Sequence, residues 1–161
     1  TAERTFGGGR AFPRDRASWI RKVAVSSGLS EQRTAMLFDR YGTDAEDVAT
    51  FLVAGPDHAL PHGGYSAREL LFLIREEAVE HLDDLLLRRT TLAISGELSL
   101  AMAEAVLAVL AAEKGWSAAR TAEERTRFLN LMHERHGVCE QTLSARNEHR
   151  SELCETTARS G

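Results

Sequence analysis

The chain reads as an all-α protein, an orthogonal-type bundle of about six helices in a single domain. Three observations predict this. Leu, Ala, Glu and Arg dominate while Val, Ile and Tyr are sparse, a balance that favours helix over sheet. Helix start signals (Ser, Thr or Asp before an apolar stripe) and glycine stops recur along the chain. No strand-like alternation of useful length appears, and no internal repeat.

The elements follow in order. Residues 1–13, with Gly7-Gly8-Gly9 and Pro13, read as a linker. From Asp15 to Ser27, Trp19, Ile20, Val23 and Ala24 form a short amphipathic helix that Gly28 stops. Ser30 caps the next helix, in which Leu37, Phe38 and Tyr41 face inward and Gly42 ends the run. Thr43-Asp44-Ala45-Glu46 has capping-box form and predicts a third helix with Val48, Ala49 and Leu52 inside. Residues 54–65 hold two of the three prolines and three glycines, the clearest loop in the chain. Ser66-Ala67-Arg68-Glu69, a second capping box, starts a long helix whose buried stripe is Leu71, Ile74, Ala78, Leu82 and Leu85. Periodicity alone leaves open whether it breaks near His81. Leu98 to Lys114 is apolar almost all round, the pattern of a buried central helix, with Gly115 as its stop and Trp116 folding back on the core. Ser117 or Thr121 caps a last helix in which Ala122, Phe128, Leu129, Leu131 and Met132 supply the apolar contacts up to Gly137. The helical domain thus spans 14–137, and 138–161 is a polar tail without a core stripe.

Bulk composition excludes several function classes. At 161 residues, with 43% hydrophobic and 27% charged side chains, the chain is long and apolar enough for a packed core. A net charge of −4 argues against nucleic acid as a general partner. The longest apolar run, around 105–112, falls short of the roughly 20 residues a membrane span needs. Two cysteines, Cys139 and Cys154, imply no disulfide framework, so a reducing cytoplasm is expected. The chain starts at Thr1 with no signal-peptide pattern, and is expected to be part of a longer protein.

Motifs for self-contained chemistry are weak. Gly7-Gly8-Gly9-Arg10 lacks both the preceding strand and the spacing of a nucleotide loop. His133 and His136 lie three apart and Glu77 one turn before His81, but no Glu-x-x-His pair occurs, so no metal site is expected. No serine sits in a Gly-x-Ser-x-Gly turn. No catalytic or cofactor-binding residue is therefore assigned.

One stretch stands apart. In residues 75–91 a file of carboxylates, Glu76, Glu80, Asp83 and Asp84, lies on a face other than the apolar stripe and ends at Arg88-Arg89. Like charges four apart cost a helix about 0.2–0.5 kcal/mol per pair, and pairing of Asp84 with Arg88 or Arg89 offsets only part of that. Two readings stay open: a solvated face with local ion pairs, and a docking surface whose arginines take planar anionic partners.

The order Tyr41-Gly42, Pro/Gly loop, Tyr65 with a capped helix, Arg75-Glu76-Glu77, Leu82-Asp83-Asp84, Leu87-Arg88-Arg89-Thr90 and Gly115-Trp116 carries a resemblance. Over residues 7–137 the chain resembles the C-terminal helical domain of the FAD-dependent, respiratory-type glycerol-3-phosphate dehydrogenases and the related glycerophosphate oxidases. The resemblance implies a parent oxidoreductase that converts glycerol 3-phosphate to dihydroxyacetone phosphate, with FAD as cofactor and quinone, or oxygen in the oxidases, as electron acceptor. It implies partners in the protein's own preceding FAD and substrate domains, and a place in the cytoplasm or on the cytoplasmic face of the inner membrane. The family's flavin and phosphate ligands belong to those preceding domains, so none carries over to residues here. Glu76, Glu77, Asp84, Arg88, Arg89 and Thr90 are expected to dock against the FAD-binding portion. The rival expectation is a free-standing helical interaction module that recruits a partner through its acidic helix.

Overall fold

The computed structural model of the chain describes residues 13–61 and 63–147. The linker up to residue 12, Cys154 and the tail from 148 onward lie outside the described residues. Among those described, the fold is all-α: six α-helices, one 3-10 turn, one π-helical segment and a further helical stretch at 140–147, with no strand beyond an isolated bridge between Ala59 and Ser66. The chain divides into two compact units, Thr1–Asp57 and His58–Gly161, and the division falls inside the Pro/Gly loop.

In the first unit, α1 (Arg16–Ser27) begins where the Asp15 carboxylate accepts from the Ser18 amide at 3.1 Å and ends at Gly28. Ser30 caps α2 (Glu31–Tyr41) by accepting from the Arg33 amide. The third helix departs from its expected start. Residues Gly42–Asp44 form a 3-10 turn that runs directly into α3 (Ala45–Val53), so the cap position falls on Asp44, whose side chain makes no cap hydrogen bond. Ile20, Val23, Ala24, Leu37, Phe38, Val48, Ala49 and Leu52 are buried, as their spacing requires. Burying each large apolar side chain contributes about 1.5–3 kcal/mol.

In the second unit, the loop closes on itself before α4. The Leu60 amide donates to the Tyr65 carbonyl and the Ala67 amide to the His58 carbonyl, each at 2.9 Å. Gly63 sits at φ 73°, and a Cβ there would stand 2.3 Å from Cδ2 of Leu92. The turn therefore presses on the 91–97 loop closely enough to require glycine. The Thr91 amide donates to the Tyr65 hydroxyl at 3.1 Å across the same junction.

α4 (Ala67–Glu76) starts at Ser66 and lasts only ten residues. α5 (Leu100–Lys114) is capped by Ser99 and stopped by Gly115, and it packs against α4, the π segment and α6 (Ala118–His136). The expectation that α5 is buried all round is corrected. Met102, Ala103, Val106, Leu107 and Leu110 are buried, whereas Ala108 and Ala112 are exposed. Alanine is the best helix former, so an alanine-rich helix needs no cover on every side.

Trp116 is half-buried beneath the Arg120 guanidinium, 4.8 Å from its ring centroid. In α6, Phe128 and Met132 are buried as expected, but Ala122 is exposed and the buried residue of its second turn is Glu124. The start of the polar tail is ordered as well. Residues 140–147 are helical and Leu143 is fully buried. The Arg146 guanidinium donates to the Leu98 carbonyl, and the Asn147 amide oxygen accepts from the Ala101 amide. One leucine and two polar contacts thus hold this stretch on the start of α5.

Candidate functional site

The stretch from Arg75 to Thr91 is not one helix. α4 stops at Glu76, Glu77 adopts extended backbone (φ −114°, ψ 152°), and helical structure resumes at residue 82 to become the π segment Asp84–Arg89. The predicted stripe shifts accordingly: Ala78 is exposed, and Val79 takes the buried place instead. The carboxylates do not share a face either. Asp83 is buried, whereas Glu76 and Glu80 are exposed.

Restarting a helix after a break leaves amide donors without partners. Two carboxylates supply them. One Asp84 oxygen accepts from the amides of Glu80 at 3.2 Å and His81 at 3.0 Å. The third amide, that of Leu82, donates to Glu124 of α6 at 2.9 Å. A negative charge here also meets the positive end of the helical segment.

Glu124 is the centre of the arrangement. Its side chain is completely buried, yet five groups donate to it or face it: the Leu82 amide, His81 Nδ1 at 3.1 Å, Arg120 at 3.3 Å, and Nε and Nη2 of Arg127, the latter at 2.8 Å. Arg127 also reaches Asp83, so one guanidinium joins both buried carboxylates. Burial pulls the Glu124 carboxyl upward, but the hydrogen bonds from Arg127, Leu82 and His81 outweigh it and hold the group at about 2. The hydrogen bond to Glu124 correspondingly drives the Arg127 guanidinium above its usual range, against the effect of burial. A carboxylate so supplied stays ionised and serves as a fixed acceptor.

The six residues expected to dock separate into groups. Glu77 pairs with Arg89 at 2.6 Å and bridges the extended break to the end of the π segment. Arg88 meets Asp84 at 3.3 Å, one turn away, while 69% of its side chain stays exposed. Thr90 is buried, its hydroxyl donating to the Leu86 carbonyl. Glu76 lies exposed at the end of α4. Arg89 therefore turns to Glu77, while Asp84 takes Arg88. Reasoning from sequence missed Glu124 and Arg127, although a signal was present: stepping back four residues from the buried Met132 and Phe128 lands on Glu124.

Gly28, Gly42, Gly115 and Gly137 each follow a helix end, and no buried side-chain nitrogen or oxygen among the described residues lacks a partner. His133 and His136 are exposed in the last turn of α6, and among the described residues no three His, Cys, Asp or Glu side chains gather as a metal site would require. Among the same residues, no helix is long and apolar enough to cross a membrane.

Comparison with known proteins bears on the same stretch. Residues 1–121 match the family described as the C-terminal domain of alpha-glycerophosphate oxidase. Over 103 residues, 62% of this chain, the sequence is 33% identical to a glycerol-3-phosphate dehydrogenase of Mycobacterium leprae (strain TN). The match covers 18% of that relative's length. No solved structure matches the chain.

Proposed function

Since the chain belongs to the family of C-terminal domains of alpha-glycerophosphate oxidase, a family of oxidoreductases, we propose that it is the accessory domain of an FAD-dependent glycerol-3-phosphate dehydrogenase. The observation that carries this reading is the 33% identity to a glycerol-3-phosphate dehydrogenase, of which the chain spans only a small part. The parent oxidises glycerol 3-phosphate to dihydroxyacetone phosphate and passes the electrons to quinone, working in the cytoplasm or at the cytoplasmic face of the inner membrane. FAD, bound by the preceding domains, supplies the redox chemistry. The domain described here supplies support.

Support means docking on the FAD and substrate domains through the segment from Glu76 to Thr90. What favours this is division of labour among its charges. Glu77, Asp84 and Arg89 shape the segment from within, while Arg88 keeps a long single contact to a carboxylate already occupied by two amides. An arginine so exposed is free to take a carboxylate of another domain in bidentate fashion.

The test is the full-length parent with Arg88→Ala and Arg89→Ala together. Loss of bound flavin or a lower melting temperature is expected. Unchanged flavin content and melting temperature would overturn the docking role. Arg88→Ala alone sharpens the result, because it leaves the Glu77–Arg89 closure intact.

A further inference from the structure

The π segment is held by something outside itself, and that has a consequence for the surface it presents. A π-helical turn carries one more residue than the α-helical turn it replaces, and such turns concentrate at functional sites. Relaxation to α geometry would advance the register by one residue, turning Arg88 and Arg89 by about 100° around the axis. The Thr90 amide, bonded to the Leu85 carbonyl at 2.9 Å, marks the wide register at its end. At its start stands Glu124, reaching from a helix 42 residues away in sequence to the Leu82 amide.

We infer that Glu124, with Arg127, is a latch by which α6 fixes the register of residues 82–89 and hence the direction in which Arg88 and Arg89 point. Three features carry it. Glu124 is fully buried and spends one oxygen on a backbone amide at the point where the helix resumes. Arg127 spans Glu124 and Asp83, tying the residue just before the π segment to α6 through a second arm. Arg120, stacked over Trp116 and bonded to Glu124, fixes the carboxylate from the other side. Glu124 is a positioning residue in this scheme, and its importance for docking rests on the docking reading given above.

Hydrogen exchange on the full-length protein decides the matter. Glu124→Leu keeps the bulk of the side chain but removes both acceptor oxygens, and with them the partner of the Leu82 amide. Amides 80–90 are expected to exchange about tenfold faster, the size of a lost helix cap, while amides 102–110 of α5 keep their protection. Unchanged protection at 80–90 would overturn the latch, and so would an equal loss in α5, which would mean general loosening. Should that variant fail to fold, Arg127→Met is read in the same way through its bridge to Asp83. Flavin retention and proteolysis between the domains are measured on the same samples. Faster exchange at 80–90 with both of those unchanged upholds the latch and overturns the docking role instead.

Discussion

Two ion pairs in the second unit are built from the same chemistry and do different work. On the surface, Arg75 of α4 grips Glu113 of α5 with two parallel hydrogen bonds of 2.7 and 3.0 Å. At the break after α4, Arg127 meets Glu124 with comparable distances, but Glu124 is sealed from solvent. The surface pair joins two helices that their own apolar stripes already hold together. The buried pair satisfies a backbone amide that nothing else reaches. A charge shapes a fold when its removal leaves other groups stranded, and that depends on burial, not on bond length.

The largest expected effect follows directly. Glu124→Ala strands the Leu82 amide and leaves Arg127 with Asp83 alone. A loss of roughly 3 kcal/mol is expected, at the low end for a broken buried pair because both arginines keep access to water. Urea denaturation measures it. A loss comparable to that of a surface substitution would erase the contrast between the two sites.

That contrast also marks the limit of what the sequence made legible. Caps at Ser30, Ser66 and Ser117 and stops at Gly28, Gly42, Gly115 and Gly137 were readable, because each acts within a few residues of itself. The break at 77–81 was not settled, since Leu82 and Leu85 keep a helical step from Ile74 across a segment that is not helical. What breaks it is tertiary: the amides of 80–82 find carboxylates, one of them from α6. Glu124 was passed over because a glutamate in a charged run reads as solvent-facing. The start of the tail was passed over because one buried leucine, Leu143, makes no periodic pattern. Of the proposed docking residues, the Asp84–Arg88 pair was legible from its spacing, whereas Glu77–Arg89 required the break.

Acid titration gives the next effect in size. Glu124 titrates at about 2 when folded against an ordinary 4.5, so unfolding takes up a proton between those values. A depressed carboxyl stabilises the fold fully above the unfolded value and loses that contribution as pH falls toward the folded one. The contribution amounts to at most about 3 kcal/mol. Denaturation midpoints of the native protein and Glu124→Gln, compared from about pH 5 down to about pH 2, are expected to converge as pH drops. A gap that stays constant with pH would mean that the Glu124 charge carries none of the stability.

The smallest effect belongs to the surface pair. Arg75 holds the Glu113 carboxyl below its usual range, chiefly by hydrogen bonding, and is raised in turn. Both side chains remain in contact with water, so the Coulomb attraction is screened and largely offset by the entropy of ordering two long side chains. Arg75→Met keeps an unbranched aliphatic stem while removing the charge. Its denaturation midpoint is expected to fall only slightly at low ionic strength and to match the native value in about 1 M salt, where the screening length shrinks to roughly 3 Å. A salt-independent loss as large as that of Glu124→Ala would show that the bidentate geometry, even in solvent, organises the α4–α5 contact. The division between shaping and decorating charges would then have to be drawn by geometry instead of burial.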